Sequence, residues 1–403
     1  MKYFVLIPDG MADEKIPALG NRTPMEAAEK PMMDRLAKDA LVGTVSNVPE
    51  GMVPESDTAN MAILSFNPRI YSKGRSPLEA VSMGLEMSPD DTAYRCNVVT
   101  LSDEGEDYDD KIMLDHSADE ISTPEAAELI AALEEKLGND TRRFYPGVSY
   151  RHCLMIRGGN DTYPFMRPHD ILGKRIGEYL PKRGDGGGEF YDLMRESFEI
   201  LNHHPVNEAR RARGLKPANS AWLWSPGKKP QLPDFGKRWG LRGAVISAVD
   251  LIKGIGLCAG MKSIDVEGAT GNVHTNYRGK AERANVYVHV EAPDECGHRA
   301  ETENKVLSVE KIDAEILRPV FDYLAGTGED FRVMVLPDHP TPVRLRTHTS
   351  LPVPFFIWSS DKRRDGAERF TEETAAKKQF YLPYGYRLMD LLLNPDSEVN
   401  THE

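Results

Sequence analysis

The sequence is poor in cysteine, in net positive charge and in long apolar runs. Its 403 residues include four cysteines, none of them in a C-x-x-C pair, which excludes a zinc-finger or disulfide framework and is typical of a reducing compartment. With 50 basic against 63 acidic residues the net charge is −13, so electrostatic binding to nucleic acid is not expected. No run approaches the roughly 18 apolar residues of a membrane span, and the apolar run before Pro8 is too short for a signal peptide. We therefore expect a soluble cytoplasmic protein without a nucleic acid or membrane partner.

Short runs of β-branched and aromatic residues alternate with helical patterns along much of the chain. The runs at 3–7, 286–290, 332–336 and 354–358 predict buried parallel strands, and the recurring apolar face of 304–324 predicts a helix. This alternation predicts an α/β fold with a doubly wound, mainly parallel sheet.

The middle of the chain has a different pattern. A helix is predicted at 123–137 and a strand at 150–156, followed by a glycine-rich loop and a helix whose arginines, Arg210, Arg211 and Arg213, are expected to face solvent. We interpret 107–219 as an inserted α+β domain. The remaining segments, 1–106 and 220–403, are then one domain interrupted by this insertion.

Three predicted strands run into a proline followed by an aspartate: Asp9, Asp294 and Asp338. The carboxyl ends of parallel strands converge on one edge of a sheet, where ligands bind in open α/β folds. Clustered carboxylates repel one another and raise each other's pKa, so such a cluster usually indicates a bound cation.

Histidines accompany these aspartates. His298 follows Asp294 by four residues, His339 follows Asp338 directly, and His348 precedes the next predicted strand. A mixture of carboxylate and imidazole without thiolate favours Zn²⁺ or Mn²⁺. Six ligands are more than one catalytic ion needs, and two ions, as in two-metal phosphoryl-transfer sites, would use them.

A candidate nucleophile, Ser56, lies where a strand-like segment, 41–48, leads into an amphipathic helix. Backbone N–H groups at a helix N-terminus favour a phosphate, and a serine hydroxyl beside a metal can ionise. A serine at this place can also cap the helix, and one residue can serve both roles.

Together these motifs resemble the alkaline phosphatase superfamily and, within it, the archaeal type of cofactor-independent phosphoglycerate mutase. The resemblance covers nearly the whole chain. It is carried in order by Ile7-Pro8-Asp9-Gly10-Met11, Ser56-Asp57-Thr58-Ala59-Asn60-Met61, Pro293-Asp294-Glu295-Cys296-Gly297-His298, Asp338-His339-Pro340-Thr341-Pro342 and Thr347-His348-Thr349.

The resemblance implies an alkaline phosphatase-like fold and a phosphoserine shuttle between 3-phosphoglycerate and 2-phosphoglycerate, with the insert as a substrate-binding lid. It makes Ser56 the phosphorylated nucleophile of a two-metal site holding Mn²⁺ or Zn²⁺. The implied ligands are Asp9, Ser56, Asp338 and His339 for one ion, and Asp294, His298 and His348 for the other.

The substrate's phosphate and carboxylate need cationic partners, for which Arg151, Arg157, Lys253 and, more weakly, His169 are the candidates. Two alternatives stay open: a homoserine kinase-like phosphotransferase using the same nucleophile and metals, and a non-catalytic module that binds phosphorylated metabolites. The sequence does not predict the oligomeric state.

Overall fold

The computed structural model describes residues 1–103, 107–283 and 287–396. It divides into two compact units: unit 1 is Met1–Ser72 with Gln231–Glu403, and unit 2 is Lys73–Pro230. The strands are β1 Lys2–Pro8, β2 Leu41–Val45, β3 Asp91–Leu101, β4 Met113–Asp115, β5 Arg142–Val148, β6 Arg151–Arg157, β7 Ser220–Lys228, β8 Ala244–Ile246, β9 Lys262–Ser263, β10 Tyr287–Val290, β11 Phe331–Val335, β12 Val353–Ser359 and β13 Tyr381–Leu382.

The helices alternate with these strands in unit 1 and flank the sheet in unit 2. They are α1 Pro24–Ala27, α2 Pro31–Lys38, α3 Ser56–Ile63, α4 Pro68–Tyr71, α5 Ser76–Ser82, α6 Thr123–Leu137, α7 Gly188–Leu201, α8 Pro205–Ala212, α9 Phe235–Trp239, α10 Asp250–Cys258, α11 Tyr277–Glu282, α12 Ala292–His298, α13 Thr302–Ile312, α14 Arg318–Gly326, α15 Glu372–Lys377 and α16 Leu388–Leu393. A π-helical turn, Asp313–Leu317, joins α13 to α14 into the long helix predicted at 304–324. No helix in the described part of the chain is both long and apolar enough to span a bilayer.

Unit 1 is built on an eight-stranded sheet of order β13-β2-β12-β11-β1-β10-β8-β9. The three strands predicted to carry aspartates, β11, β1 and β10, are parallel neighbours in its centre. On β1, Phe4 and Leu6 pack with α2, α13 and α14, while the alternating Val5 and Ile7 are also buried. Both faces of this strand are therefore covered, as a buried parallel strand requires.

One predicted strand direction is wrong. The run at 354–358 is observed as β12, which is antiparallel to both of its neighbours, β11 and β2. Parallel strands need a crossover connection, usually a helix, whereas residues 336–352 between β11 and β12 contain turns and no helix. Val286, the first residue of another predicted strand, lies outside the described residues.

Unit 2 is an antiparallel sheet of order β4-β3-β6-β5, with β7 also paired to β3. It extends beyond the predicted insert, 107–219, at both ends. The reason is the pairing of β3 with β7, from Thr92 opposite Lys228 to Val99 opposite Ser220, which places both strands in this sheet. The boundary at residue 106 itself lies outside the described residues.

The arginine cluster of α8 is only partly the solvated face that was predicted. Arg210 is 2% exposed, and its guanidinium donates to the carbonyl oxygens of Lys216 and Ala118 and to Glu125. The planar guanidinium of Arg210 thus donates to two backbone carbonyl oxygens and one carboxylate, so this residue stabilises the structure of unit 2.

Candidate active site

Three buried aspartates meet at one edge of the unit 1 sheet. Asp9 directly follows β1, Asp338 follows β11, and Asp294 lies in α12, which begins just after β10. All three are at most 6% exposed. Because these strands are parallel neighbours, their carboxyl ends bring the three carboxylates to the same place, as predicted from the sequence.

The carboxylates influence one another strongly. Burial, followed by the charges of Asp338 and Asp294, raises the pKa of Asp9 well above its ordinary value. Burial acts to raise the pKa of Asp338, but the imidazoles of His339 and His289 together with a hydrogen bond to Asp9 act against it, and the pKa is lowered. Oδ1 of Asp9 is buried and has no hydrogen-bond partner in the described part of the chain. A positively charged group bound at this cluster would therefore be strongly favoured.

Ser56 opens α3 and faces this cluster. Its Oγ lies 3.1 Å from Nε2 of His339, which in turn lies 3.6 Å from Asp9 and 3.5 Å from Asp338. Glu55 occupies the N-cap position, and α3 has no side-chain cap hydrogen bond, so the hydroxyl is not used as a cap. The structure therefore leaves Ser56 available for chemistry.

A second set of contacts joins Asp294 to two histidines. Nε2 of His298 and Nε2 of His348 lie 3.3 Å from its two carboxylate oxygens and 2.9 Å from each other. The opposite ring nitrogens contact backbone carbonyls, Nδ1 of His298 at Arg346 and Nδ1 of His348 at Pro54. These contacts fix the orientation of both rings and turn each Nε2 towards Asp294, an arrangement typical of metal-ligating histidines. Hydrogen bonding to Asp294 raises the pKa of His298 to about 9.

These residues fit divalent cations. The ligand atoms of Asp9, Asp338 and His339 lie within 4.8 Å of one another, and so do those of Asp294, His339 and His348. His339 belongs to both groups and stacks on His348, with ring centroids 4.0 Å apart. Carboxylate and imidazole are the donors that Zn²⁺ and Mn²⁺ accept, and the unpartnered oxygen of Asp9 needs a positive partner.

Gly10 is required by the close approach of two ligand segments. Its φ is +61°, its N–H donates to Oδ1 of Asp338, and a Cβ there would lie 2.5 Å from Thr341 Oγ1 and 2.7 Å from Asp294 Oδ1. Any side chain would separate Asp9 from the other carboxylates.

The structure adds residues that the sequence reasoning missed. Thr341 donates to Asp294 Oδ1 and lies 3.3 Å from Nδ1 of His339, and the fully buried His289 places Nε2 3.1 Å from Asp9 Oδ2. Spacing offered one signal, since Thr341 follows His339 by two residues within the same motif. His289 lies within a predicted strand, and no sequence pattern marked it as a residue of the site.

The predicted substrate-binding residues are divided between the units. Arg151, Arg157 and His169 belong to unit 2, where the two arginines occupy opposite ends of β6, about 20 Å apart for six residue steps. The Arg151 end carries the rings of Tyr150, His116 and His169 in a chain of edge contacts of 5.7 and 6.0 Å between centroids. A three-carbon substrate cannot contact both arginines at once.

Lys253 lies in unit 1 on α10, which packs against α3. Its Nζ donates to Asp265 at 2.9 Å, and its side chain is 20% exposed against 84% for Asp265. The ion pair is therefore open to water on one side, and the lysine can exchange this partner for a ligand.

A mainly parallel sheet with carboxylates, histidines and a serine at the carboxyl ends of its strands defines the class of protein. It is an α/β enzyme of alkaline phosphatase-like fold, as predicted from the sequence. The fold agrees with solved structures from Pyrococcus horikoshii (TM-score 0.80, 25% identity, 99% of each chain) and of a cofactor-independent phosphoglycerate mutase from Thermoplasma acidophilum (TM-score 0.64, 25% identity, 98% of this chain and 99% of that one).

Sequence comparison identifies the family. The family model of 2,3-bisphosphoglycerate-independent phosphoglycerate mutase matches residues 37–207. The chain is 44% identical to a probable mutase of this name from Geobacter sulfurreducens, over 98% of this chain and 100% of the relative. It is 45% identical to one from Methanosarcina barkeri, over 98% and 99%. The chain belongs to the 2,3-bisphosphoglycerate-independent phosphoglycerate mutase family, which confirms the resemblance found in its motifs.

Proposed function

We propose that this chain interconverts 3-phosphoglycerate and 2-phosphoglycerate through a phosphoserine at Ser56, independently of 2,3-bisphosphoglycerate, as a glycolytic enzyme of the cytoplasm. The observation that carries the proposal is the position of the Ser56 hydroxyl, 3.1 Å from His339 and beside the buried carboxylates of Asp9 and Asp338. Family membership supports the same substrate pair. The names of the relatives favour the mutase over the homoserine kinase-like alternative.

In the proposed reaction Ser56 Oγ attacks the phosphorus of 3-phosphoglycerate. The bond from phosphorus to the substrate's 3-oxygen breaks, that oxygen takes up a proton in place of the one that the Ser56 hydroxyl loses, and phosphoserine forms. Glycerate turns while bound, and its 2-hydroxyl loses its proton and attacks the phosphorus of the phosphoserine. The bond from phosphorus to Ser56 Oγ breaks, and Ser56 regains its proton. The backbone N–H groups of the first turn of α3 favour the phosphate's negative charge. Water must be excluded during the turn, because it would hydrolyse the phosphoserine.

The metal ligands proposed are Asp9, Ser56, Asp338 and His339 for one cation, and Asp294, His298 and His348 for the other, with Mn²⁺ or Zn²⁺ as the ions. Bound cations would lower the pKa of the Ser56 hydroxyl and offset the charge that develops on the phosphoryl oxygens. The chain's own part is to hold each ligand in one orientation, which the hydrogen bonds at both histidines and at Asp338 accomplish.

We propose Lys253 as a substrate-binding residue of unit 1, and Arg151 and His169 as separate substrate-binding candidates within unit 2. The carboxylate and the phosphate of phosphoglycerate each suit a guanidinium or ammonium group. Arg157, at the far end of β6, is left out of this set because of its distance from Arg151.

The test is conversion of 3-phosphoglycerate by Mn²⁺-loaded protein, coupled to enolase, without 2,3-bisphosphoglycerate. We expect turnover by the wild type, none by Ser56→Ala, and wild-type turnover by Ser46→Ala, a matched serine whose hydroxyl forms a hydrogen bond with Tyr381. Intact mass should show one added phosphoryl group in the wild type and none in Ser56→Ala. Absence of turnover by metal-replete wild type would refute the mutase assignment.

The same samples separate the alternatives. A homoserine kinase would form phosphohomoserine from homoserine and a phosphoryl donor, which ³¹P NMR detects directly. A non-catalytic module would bind phosphoglycerate equally well in the wild type and in Ser56→Ala and would never carry phosphoserine.

A further inference from the structure

Asn60 links the nucleophile to the metal-ligand cluster. It lies on α3, four residues after Ser56 and therefore on the same face, and it is fully buried. Its Nδ2 donates to the carbonyl oxygen of Ser56 and to Oδ2 of Asp338, both at 2.8 Å. Neither acceptor carries a proton, so only the nitrogen of the amide can face them, and both of its hydrogens are used.

Tyr287 fixes the other side of this amide. It is a buried residue of β10, and its hydroxyl donates to Oδ1 of Asn60. Burial raises the pKa of Tyr287 well above its ordinary value, so the phenol keeps its proton and remains a donor. Every hydrogen-bonding group of the Asn60 side chain is thus occupied, which holds it in one orientation.

The hydrogen bond from Asn60 completes the set of contacts that orients the Asp338 carboxylate. Its Oδ1 accepts from the N–H groups of Gly10 and His339, and its Oδ2 accepts from Asn60. The carboxylate is therefore held by the segment after β1, by its own segment and by α3. A rigid connection of this kind keeps Ser56 Oγ at a constant distance from the ligand set, and a displacement of about 1 Å at a reacting atom can cost roughly 100-fold in rate.

We propose that Asn60 is a positioning residue that ties the serine nucleophile to the carboxylate of Asp338, and that Tyr287 sets the orientation of its amide. The proposal rests on the proposed function of Ser56 and Asp338. Asn60 does not touch the substrate, and its effect passes through the two groups it holds. Removing it therefore changes the rate of phosphoryl transfer and the affinity for metal, while substrate affinity stays nearly unchanged.

The experiment compares Asn60→Leu, which keeps the shape and removes both donors, with Tyr287→Phe, which removes one hydroxyl. For Asn60→Leu we expect kcat to fall by about 10–100-fold with KM within about threefold, and Mn²⁺ affinity, measured by calorimetry, to fall by about 10–100-fold for one of two ions. Tyr287→Phe should lower kcat and Mn²⁺ affinity in the same way but less, by about three- to tenfold each.

The matched control is Asn207→Leu in unit 2. Asn207 is also fully buried and makes three hydrogen bonds, all of them to the backbone of Leu201 and Ala218. It should lower the melting temperature and leave kcat and Mn²⁺ affinity unchanged. A merely structural role for Asn60 would give this same result.

Wild-type kcat and Mn²⁺ affinity in both Asn60→Leu and Tyr287→Phe would overturn the proposal. If Asn60→Leu does not fold, Tyr287→Phe decides by the same two measurements. If the wild type binds Mn²⁺ but does not convert phosphoglycerate, the proposed function fails, and the Mn²⁺ titrations of the variants still decide the role of Asn60.

Discussion

The two units bury different kinds of polar side chain. The five aspartates of the described residues that are buried as whole residues all lie in unit 1: Asp9, Asp57, Asp294, Asp313 and Asp338. Unit 2 buries mainly hydroxyls and amides, among them Thr92, Asn97, Thr100, Ser102, Ser117, Ser197, Asn207, Asn219 and Ser220. The carboxylates of the strand ends contact histidines and one another, whereas Asn207 and Asn219 bond chiefly to nearby backbone groups.

This difference distinguishes buried polar groups that stabilise a fold from buried polar groups that can take part in chemistry. A buried amide that satisfies the backbone stabilises a fold without electrostatic cost, because each donor and acceptor finds its partner. Buried carboxylates placed together are costly, as the raised pKa of Asp9 indicates, and proteins keep such clusters mainly at functional sites. The proposed bond making and breaking therefore involve the carboxylate cluster of unit 1.

The largest expected effect is that of Asp294→Asn, which keeps the shape of a metal ligand and removes its charge. We expect kcat to fall by about 10³-fold or more, because the histidine pair loses its carboxylate and the site loses a proposed metal ligand. Activity is measured with 3-phosphoglycerate at saturating Mn²⁺. Glu125→Gln, which weakens the ion pairs to Arg210 and Arg213 in unit 2, is the control and should keep kcat within about twofold. An equal loss in both variants would break the comparison between the units.

The next effect is on stability. The Lys305 side chain is fully buried and donates to Asp13 and to the carbonyl oxygen of Thr341. Lys305→Met leaves the buried Asp13 carboxylate without this cation, so we expect the free energy of unfolding to fall by about 3–5 kcal/mol, measured by urea titration in EDTA. Lys362→Met, at the exposed pair with Asp396, should leave the free energy of unfolding nearly unchanged. Near-equal costs would show that the buried pair is not a main support of unit 1.

The sequence predicted the residues of the candidate site better than the residues that hold them in position. Asp9, Asp294 and Asp338 were recognisable because each follows a strand-like run, and parallel neighbours bring such ends together. The contact of Asn60 with Tyr287 joins residues 227 positions apart, and no local pattern encodes that pairing. The predicted direction of β12 was wrong because direction also depends on long-range pairing. A buried apolar run has the same sequence pattern in a parallel and in an antiparallel strand.

A third effect is a dependence of stability on pH. Glu372 accepts hydrogen bonds from Thr23 Oγ1 and the N–H of Asp13, and burial raises its pKa from 4.5 to about 7. The folded state then holds a proton that the unfolded state releases near pH 4.5, so this group's stabilisation is present at low pH and lost between about pH 4.5 and 7. Charged groups that act on it include Glu26, Lys30 and Lys305.

We expect unfolding free energy in EDTA to fall by about 2 kcal/mol over that range, somewhat less than the full shift because part of the side chain meets solvent. Glu372→Gln should flatten the profile, and Glu373→Gln, at an exposed neighbour paired with Lys377, should reproduce the wild type. A wild-type profile without this fall would mean that Glu372 is ionised in the folded protein.

The smallest expected effect asks whether unit 2 is only structural. Arg151→Gln, at the end of β6 beside His116 and His169, should raise KM for 3-phosphoglycerate about tenfold, or about 1.4 kcal/mol, and leave kcat nearly unchanged. Arg157→Gln, at the other end of the same strand, is the matched control and should alter neither constant by more than about twofold. A change in KM alone would support substrate binding by Arg151, whereas a larger effect of Arg157→Gln would favour substrate binding at the opposite end of β6.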